Sequence, residues 1–251
     1  MTSPDSGGMV YVSRSAQLPR PEYRFYRAIL LEFPKRGGPP DRAALRQLAQ
    51  RFGVGLEPAL ALLGARDLVQ CDPTTGGIAA AYPFSGVPTA HHVHLAATSD
   101  QPSVDLFAMC ALDALGIPLM LRRAASITSV DGLDGEPVRV SVEPVVSGTS
   151  AAHVAESGQW SATWDPEEAV VVGRPEDHHH EHGVGAADTC CPIINFFRSA
   201  DHAEQWALAA QTDCEVRVYS QTEALRYAAI LFAGVLDQLP HGSSSRVEHK
   251  V

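Results

Sequence analysis

Hydrophobic residues near the start of the chain recur at helical spacing and predict a group of short helices. After Pro21, apolar side chains spaced three or four positions apart continue as far as Pro34, where a helix would end. Asp41 is placed to cap a second helix that runs to about Phe52, and residues 57–65 predict a third. Two short apolar runs on either side of a Thr-Thr-Gly-Gly turn then predict a hairpin. This order is typical of a winged helix-turn-helix.

The rest of the chain alternates between strand and helix patterns. Apolar alternation or short apolar runs predict strands at 91–95, 125–130, 137–142, 168–172, 191–197 and 215–219. Helical spacing predicts helices at 105–118, 201–211 and 221–239. The expected fold class is α+β, with an N-terminal winged-helix-like helical domain followed by a mixed-sheet core domain covered by helices.

Composition divides the chain further. Residues 1–20 are rich in Ser, Gly and Pro and predict a disordered leader, and residues 241–251 predict a flexible tail. The winged-helix-like domain is expected at 21–88 and the core domain at 89–240.

Charge and cysteine content limit the partners and the cellular compartment that the chain can have. The net charge of -10 argues against general affinity for nucleic acid, and the predicted recognition helix at 55–64 has no Arg, Lys, Asn or Gln to read base edges. There is no long apolar segment to enter a membrane and no hydrophobic signal core at the N-terminus. Five cysteines without regular spacing argue against a disulfide framework. We therefore expect a cytoplasmic protein with reduced thiols.

Two polar groups interrupt the most apolar stretch of the chain. Cys110 and Asp113 lie in the predicted helix 105–118, and a spacing of three places both on one helical face. Their apolar surroundings predict an enclosed pocket in which the pKa of the carboxyl group is raised. Taken alone, Cys110 could be a small buried hydrophobic residue, and Asp113 could instead pair with Arg122 or Arg123.

Adjacent cysteines begin a second candidate stretch. Cys190 and Cys191 precede an apolar run that predicts a buried strand, so that only one of the two thiols would face the pocket of Cys110. Two sulfur ligands with an acid between them suit a thiophilic ion such as Hg(II), Cu(I) or Zn(II). One packed thiol and one surface thiol is the alternative interpretation.

These stretches together resemble the organomercurial (alkylmercury) lyase family. The resemblance rests on Phe-Ala-Met-Cys-Ala-Leu-Asp-Ala-Leu around Cys110, on Gly-Glu-Pro-Val-Arg-Val-Ser-Val from Gly135, on Cys-Cys before Phe-Phe-Arg-Ser, and on Glu-Gln-Trp ending at Trp206. It extends from about residue 20 to residue 237, and the first motif is its specific part.

The resemblance implies protonolysis of a carbon–mercury bond, with release of hydrocarbon and Hg(II). Cys110 and Cys191 would bind mercury and Asp113 would shuttle the proton; counting back from the Phe-Phe pair favours Cys191 over its neighbour Cys190. No cofactor is expected. The expected partners are organomercury compounds, and low-molecular-weight thiols or mercuric reductase as acceptors of Hg(II). The alternatives are a non-enzymatic, thiol-based metal-binding or metal-sensing protein, or a member of the family repurposed for other lyase chemistry.

Several positions depart from the family pattern. Ile-Ile-Asn ends at Asn195 where His-Val-His is frequent, Met109 replaces a frequent Trp, and Asp131 stands near the position of a third, non-catalytic cysteine. The segment 147–188 is longer than expected and contains His-His-His-Glu-His from His178 to His182, either a solvated loop or a site for a divalent metal.

Overall fold

A computed structural model describes residues 14–144, 160–174, 185–209 and 215–237 of the chain. Within these residues the α-helices are α1 (Arg20–Arg36), α2 (Arg42–Phe52), α3 (Leu56–Ala65), α4 (Ala111–Leu121), α5 (Ala186–Thr189), α6 (Ala200–Ala209) and α7 (Gln221–Phe232). The strands are β1 (Val69–Cys71), β2 (Ile78–Ala81), β3 (Phe84–Ser85), β4 (His92–Leu95), β5 (Val104–Ala108), β6 (Ala125–Val130), β7 (Pro137–Pro144), β8 (Trp160–Asp165), β9 (Val170–Gly173), β10 (Asn195–Phe197) and β11 (Arg217–Tyr219). The fold is therefore α+β, as predicted.

The strands form two sheets. The larger has the order β1-β2-β3-β5-β4-β6-β7-β8, and the smaller has the order β10-β9-β11. Every neighbouring pair among these strands is antiparallel, so the prediction of a mixed sheet was wrong. The physical reason is that β4 lies between β5 and β6. The crossover through α4 therefore joins two strands that never become neighbours.

The helices α1 to α3 and the hairpin of β1 and β2 follow the predicted order. The hairpin is not separate from the rest of the molecule, because β2 pairs with β3 and β3 pairs with β5. The large sheet thus crosses the predicted domain limit at residue 88, while the limits themselves and the winged-helix comparison remain predictions. Regular structure also extends into the expected leader, where Arg14–Gln17 form a 3-10 helix and Leu18 is buried.

Helix α4 lies at the centre of the molecule. All its residues from Ala111 to Met120 are buried, which explains why the sequence there is apolar on every side rather than on one face. Gly116 allows α7 to pack closely, since a Cβ atom at this position would lie 2.2 Å from the ring of Phe232. One contiguous hydrophobic core extends from Leu18 to Val235 and includes α4. The elements that flank the start of α4 are thereby fixed in place.

Two predicted elements around the candidate residues differ from the structure. Residues 104–108 are strand β5, and the helix begins only after Cys110, which is its N-cap residue. Leu106 and Ala108 alternate with more exposed residues, a strand pattern that the apolar run had concealed. The adjacent cysteines Cys190 and Cys191 lie in a turn after the short helix α5, and strand β10 starts only at Asn195.

Candidate functional site

Cys110 and Asp113 are joined at the N-terminus of α4. The Cys110 Sγ–H group donates to Asp113 Oδ2 at 3.0 Å, and the backbone N–H of Asp113 donates to Cys110 Sγ at 3.5 Å. Because Cys110 is the N-cap and Asp113 is the third residue of the helix, this arrangement has the geometry of a helix cap with sulfur as the acceptor. The predicted proximity of the two side chains holds, although they do not share a helical face as the sequence suggested.

Cys191 completes a buried cluster. Ligand atoms of Cys110, Asp113 and Cys191 all lie within 4.8 Å of one another, and the Cys191 Sγ–H group points to Asp113 Oδ2 at 4.0 Å. The three side chains are 3%, 4% and 6% exposed, so water is largely excluded from them. One carboxylate oxygen therefore faces two thiols.

Cys190 is placed differently. Its side chain is half-buried, and its Sγ–H group donates to the backbone oxygen of Ala186 at 3.5 Å. It is not part of the three-residue cluster. The pair lies in a turn rather than on a strand, so the predicted placement of the two side chains on opposite faces of a strand does not occur.

The turn that carries Cys191 is held from several sides. The N–H groups of Cys190 and Cys191 both donate to the oxygen of Ala186, at 3.0 and 2.8 Å. The N–H of Ala111, the first residue of α4, donates to the oxygen of Ile194 at 3.1 Å. The start of α4 and the cysteine turn are thus connected through the backbone.

Burial sets the protonation of the site. It raises the pKa of Asp113 to about 7, and it raises the pKa of Cys110 to about 12, against the opposing effect of the hydrogen bond with Cys191. The pKa of Cys191 is raised, chiefly by its hydrogen bond to Cys110 and then by the one to Cys190. Near neutral pH the site therefore holds two thiols and a carboxyl group that can either accept or donate a proton.

Two residues of the N-terminal part, which no sequence pattern singled out, bind the start of the helix that leads to Cys191. The carboxylate of Asp67 accepts the N–H of Ala186, and the hydroxyl oxygen of Tyr82 accepts the N–H of Ala187 at 2.8 Å. Asp67 stands at a helix-to-strand junction, where an Asp is easily taken for an ordinary turn residue.

A second cluster of potential ligands has a different character. Asp131, Asp134 and His202 lie within ligand distance of one another, and the Asp131 side chain is fully buried. It accepts the N–H groups of Leu133 and Arg198, each at 2.7 Å, and it bonds His202 Nδ1 at 2.9 Å. These contacts fix the turn between β6 and β7 to the loop after β10. Asp131, near the position of the family's third cysteine, is thus held by hydrogen bonds from two separate segments.

Neither cluster includes Cys71, Met109 or Asn195. Cys71 is an exposed free thiol in β1. Met109 packs partly buried against the core, and Asn195 begins β10, where its amide donates to the oxygen of Pro192 at 2.9 Å. His178 to His182 lie outside the described residues.

Known proteins share this fold and define the family of the chain. The fold is similar to that of a solved structure described as the mercury-bound form of MerB2, with a TM-score of 0.66, 21% identity, and coverage of 89% of this chain and 95% of the other. The family model for MerB, alkylmercury lyase, matches residues 84–233. The chain therefore belongs to the alkylmercury lyase family.

Two curated relatives support the same assignment. Alkylmercury lyases of Bacillus cereus and Clostridium butyricum are each 32% identical to this chain over 122 residues. The match covers 48% of this chain and 44% of each relative, so the chain spans less than half the length of these relatives.

None of the helices in the described residues combines the length and the apolar character needed to cross a bilayer.

Proposed function

We propose that this protein is an organomercurial lyase that cleaves the carbon–mercury bond of an alkyl- or arylmercury cation by protonolysis. The observation that supports the proposal most strongly is the convergence of Cys110, Cys191 and Asp113 in one buried cluster. Breaking this bond requires soft ligands that crowd the metal and a proton for the departing carbon. The cluster offers two sulfurs and one proton carrier.

Capture of the substrate starts at Cys110. As its sulfur binds the mercury atom, its proton passes along the existing 3.0 Å hydrogen bond to Asp113 Oδ2. The external thiolate that accompanied the organomercury cation leaves and takes this proton from Asp113, which returns to its carboxylate form. Cys110 is expected to act before Cys191, because its sulfur lies 3.0 Å from Asp113 Oδ2 and that of Cys191 lies 4.0 Å away.

Cleavage follows when the second sulfur binds. The Cys191 thiol gives its proton to the carboxylate that it already faces, and the protonated Asp113 transfers a proton to the carbon attached to mercury. The carbon–mercury electron pair leaves with the carbon and forms the new C–H bond. Of the two thiol protons, one ends on the external thiol and one on the hydrocarbon, while Hg(II) remains on two thiolates.

The electrostatics of the cluster suit this sequence of steps. A thiol with a pKa of about 12 keeps its proton until the metal displaces it, whereas a carboxyl with a pKa of about 7 accepts and releases protons with little cost. The backbone N–H that Asp113 donates to Cys110 Sγ, at the positive end of α4, also favours the thiolate formed on metal binding.

Product release completes the proposal. Low-molecular-weight thiols or mercuric reductase would take Hg(II) from the two sulfurs, and no organic cofactor takes part in any step. The chemistry needs both cysteines reduced, which fits the cytoplasmic location predicted from the sequence.

The helices α1 to α3 with the hairpin of β1 and β2 would form a winged-helix-like unit that packs on the site and does not read DNA.

The test is release of benzene from phenylmercury by purified protein in excess thiol. The wild type and a Cys71→Ser control should release benzene, and Cys110→Ser should not. Tight stoichiometric binding of Hg(II) by the wild type without benzene release would contradict the proposal and favour the non-enzymatic alternative. Release of a product other than hydrocarbon from another substrate would favour a repurposed lyase.

A further inference from the structure

Asp67 occupies an unusual backbone position between α3 and β1. Its φ angle is 52°, in the left-handed region that is costly for most side chains but tolerated by Asp and Asn. The conformation is fixed by the backbone, since its N–H donates to the oxygen of Gly64 at 2.9 Å. The side chain of Asp67 is consequently directed away from its own helix, toward the segment that carries the cysteine pair.

The contact with that segment is close and two-sided. Both carboxylate oxygens of Asp67 accept the N–H of Ala186 at 3.1 Å. A Cβ atom at the preceding Gly185 would lie 3.1 Å from Asp67 Oδ1 and 2.9 Å from Gln70 Nε2, so the side chains of Asp67 and Gln70 both pack closely against the backbone at Gly185. Next along α5, Ala187 donates to the hydroxyl of Tyr82, which is itself buried. The first two N–H groups of α5 are thus both bound by side chains from the N-terminal part of the chain.

Ala186 transmits this contact to the candidate thiol. Its N–H is held by Asp67, and its carbonyl oxygen accepts the N–H of Cys191 at 2.8 Å. Only one residue therefore lies between the carboxylate of Asp67 and the backbone of Cys191. Asp67 is also near enough to Asp113 that, after burial, its charge contributes to the raised pKa of that group.

We propose that Asp67 is a positioning residue that sets the distance of the Cys191 thiol from Cys110 by anchoring the start of α5. The consequence for catalysis rests on the proposed function, but the consequence for binding of a soft metal by two thiols does not. The N-terminal part of the chain would then help to build the site rather than only cover it.

Three variants separate anchoring from charge and from general stability. Asp67→Gly keeps access to the left-handed backbone and removes the anchor. Asp67→Asn also tolerates that backbone and keeps an oxygen to accept the N–H of Ala186, while removing the charge. Asp188→Asn is the matched control, because this exposed acid of α5 has only a 3.4 Å contact with Gln70.

The measurement is the affinity for one equivalent of Hg(II) in competition with a small dithiol. Isolated cysteines cannot match the affinity of a dithiol for Hg(II). Loss of a residue that orients a metal ligand typically costs about 10–100-fold in affinity, and we expect that loss for Asp67→Gly. Asp67→Asn and Asp188→Asn should bind within about threefold of wild type. With phenylmercury, Asp67→Gly should lower kcat more than it changes KM, because the second sulfur acts after capture.

Folding of each variant is checked by circular dichroism and thermal melting. Should Asp67→Gly not fold, Ala186→Pro tests the same bond from its other end: it removes the donor at the first helical position, where proline is tolerated, and should weaken Hg(II) binding similarly. Wild-type affinity in whichever of these variants folds would overturn the inference. If the wild type releases benzene and Asp67→Gly binds Hg(II) with wild-type affinity, the inference about Asp67 is overturned and the proposed function stands. If Asp67→Gly binds Hg(II) more weakly but the wild type releases no benzene, the inference is supported and the proposed function is overturned.

Discussion

The thiol of Cys110 and the carboxyl group of Asp113 are linked by two hydrogen bonds of opposite direction, Sγ–H to Oδ2 at 3.0 Å and N–H to Sγ at 3.5 Å. The first gives the proton a path from sulfur to oxygen. The second fixes the sulfur at the end of α4 whether or not it carries the proton. A metal that binds this sulfur therefore finds a proton acceptor already in place.

Replacing Asp113 with Asn should separate metal binding from cleavage. The amide keeps the size of the side chain and an acceptor for the Cys110 thiol but cannot carry the proton. We expect benzene release from phenylmercury to fall about a hundredfold to ten-thousandfold. Binding of one Hg(II) per chain should persist. The exposed Asp105, exchanged for Asn in the same way, should leave the rate unchanged, and full activity of the Asp113 variant would contradict the proposed proton route.

The same substitution should stabilise the protein at high pH. Burial raises the pKa of Asp113 in the folded state to about 7, against about 3.9 for an unfolded chain. The stability linked to its proton is therefore complete below pH 4 and is lost as the pH rises toward 7. Asp113→Asn avoids this loss, which is at most about 4 kcal/mol. Denaturant unfolding at pH 4.5 and pH 8 should show a gain only at the higher pH; a less stable variant at pH 8 would refute this electrostatic account.

The two adjacent cysteines should differ sharply in their effects. Cys191→Ser removes a sulfur from the cluster and should abolish benzene release, since oxygen is a poor ligand for a soft metal. Cys190→Ser changes a half-buried thiol bonded to a backbone oxygen and should retain most of the activity. The two rates, measured side by side with phenylmercury, would reverse if Cys190 were the second ligand.

Close packing of α4 against α7 predicts a purely structural effect. Gly116→Ala places a methyl group against the ring of Phe232, which must shift, and should destabilise the fold by about 1–3 kcal/mol. Gly38→Ala is the control, since a Cβ atom there has no neighbour within 4 Å. Equal melting temperatures of the two variants would show that the interface relaxes without cost.

The nearness of Cys110 and Asp113 was predictable because a spacing of three brings side chains together in a helix and also in a helix cap. Which of the two occurs was not predictable. The strand 104–108 has apolar residues on both faces from Leu106 onward and the helix that follows is buried on all sides, so their hydrophobic residues form one run without a visible junction. Burial of the helix on all sides removed the helical periodicity that would have marked the change of structure.

The position of the cysteine pair depended on tertiary contacts. Counting from Phe197 pointed to Cys191, and the structure does place its sulfur in the cluster, but the turn arises from the hydrogen bonds at Ala186 and Ile194. Asp67 lies 119 positions before Ala186, so no local pattern could have connected them. The strand β8 was not predicted, although strand β9, which lies in the same stretch 147–188, was.

The most direct test of the central claim is the position of mercury in crystals of the protein loaded with one equivalent of Hg(II). The account predicts a single dominant anomalous peak between the sulfur atoms of Cys110 and Cys191, adjacent to Oδ2 of Asp113. A dominant peak on Cys190 or Cys71, or a mercury atom bound by Cys110 alone, would contradict it.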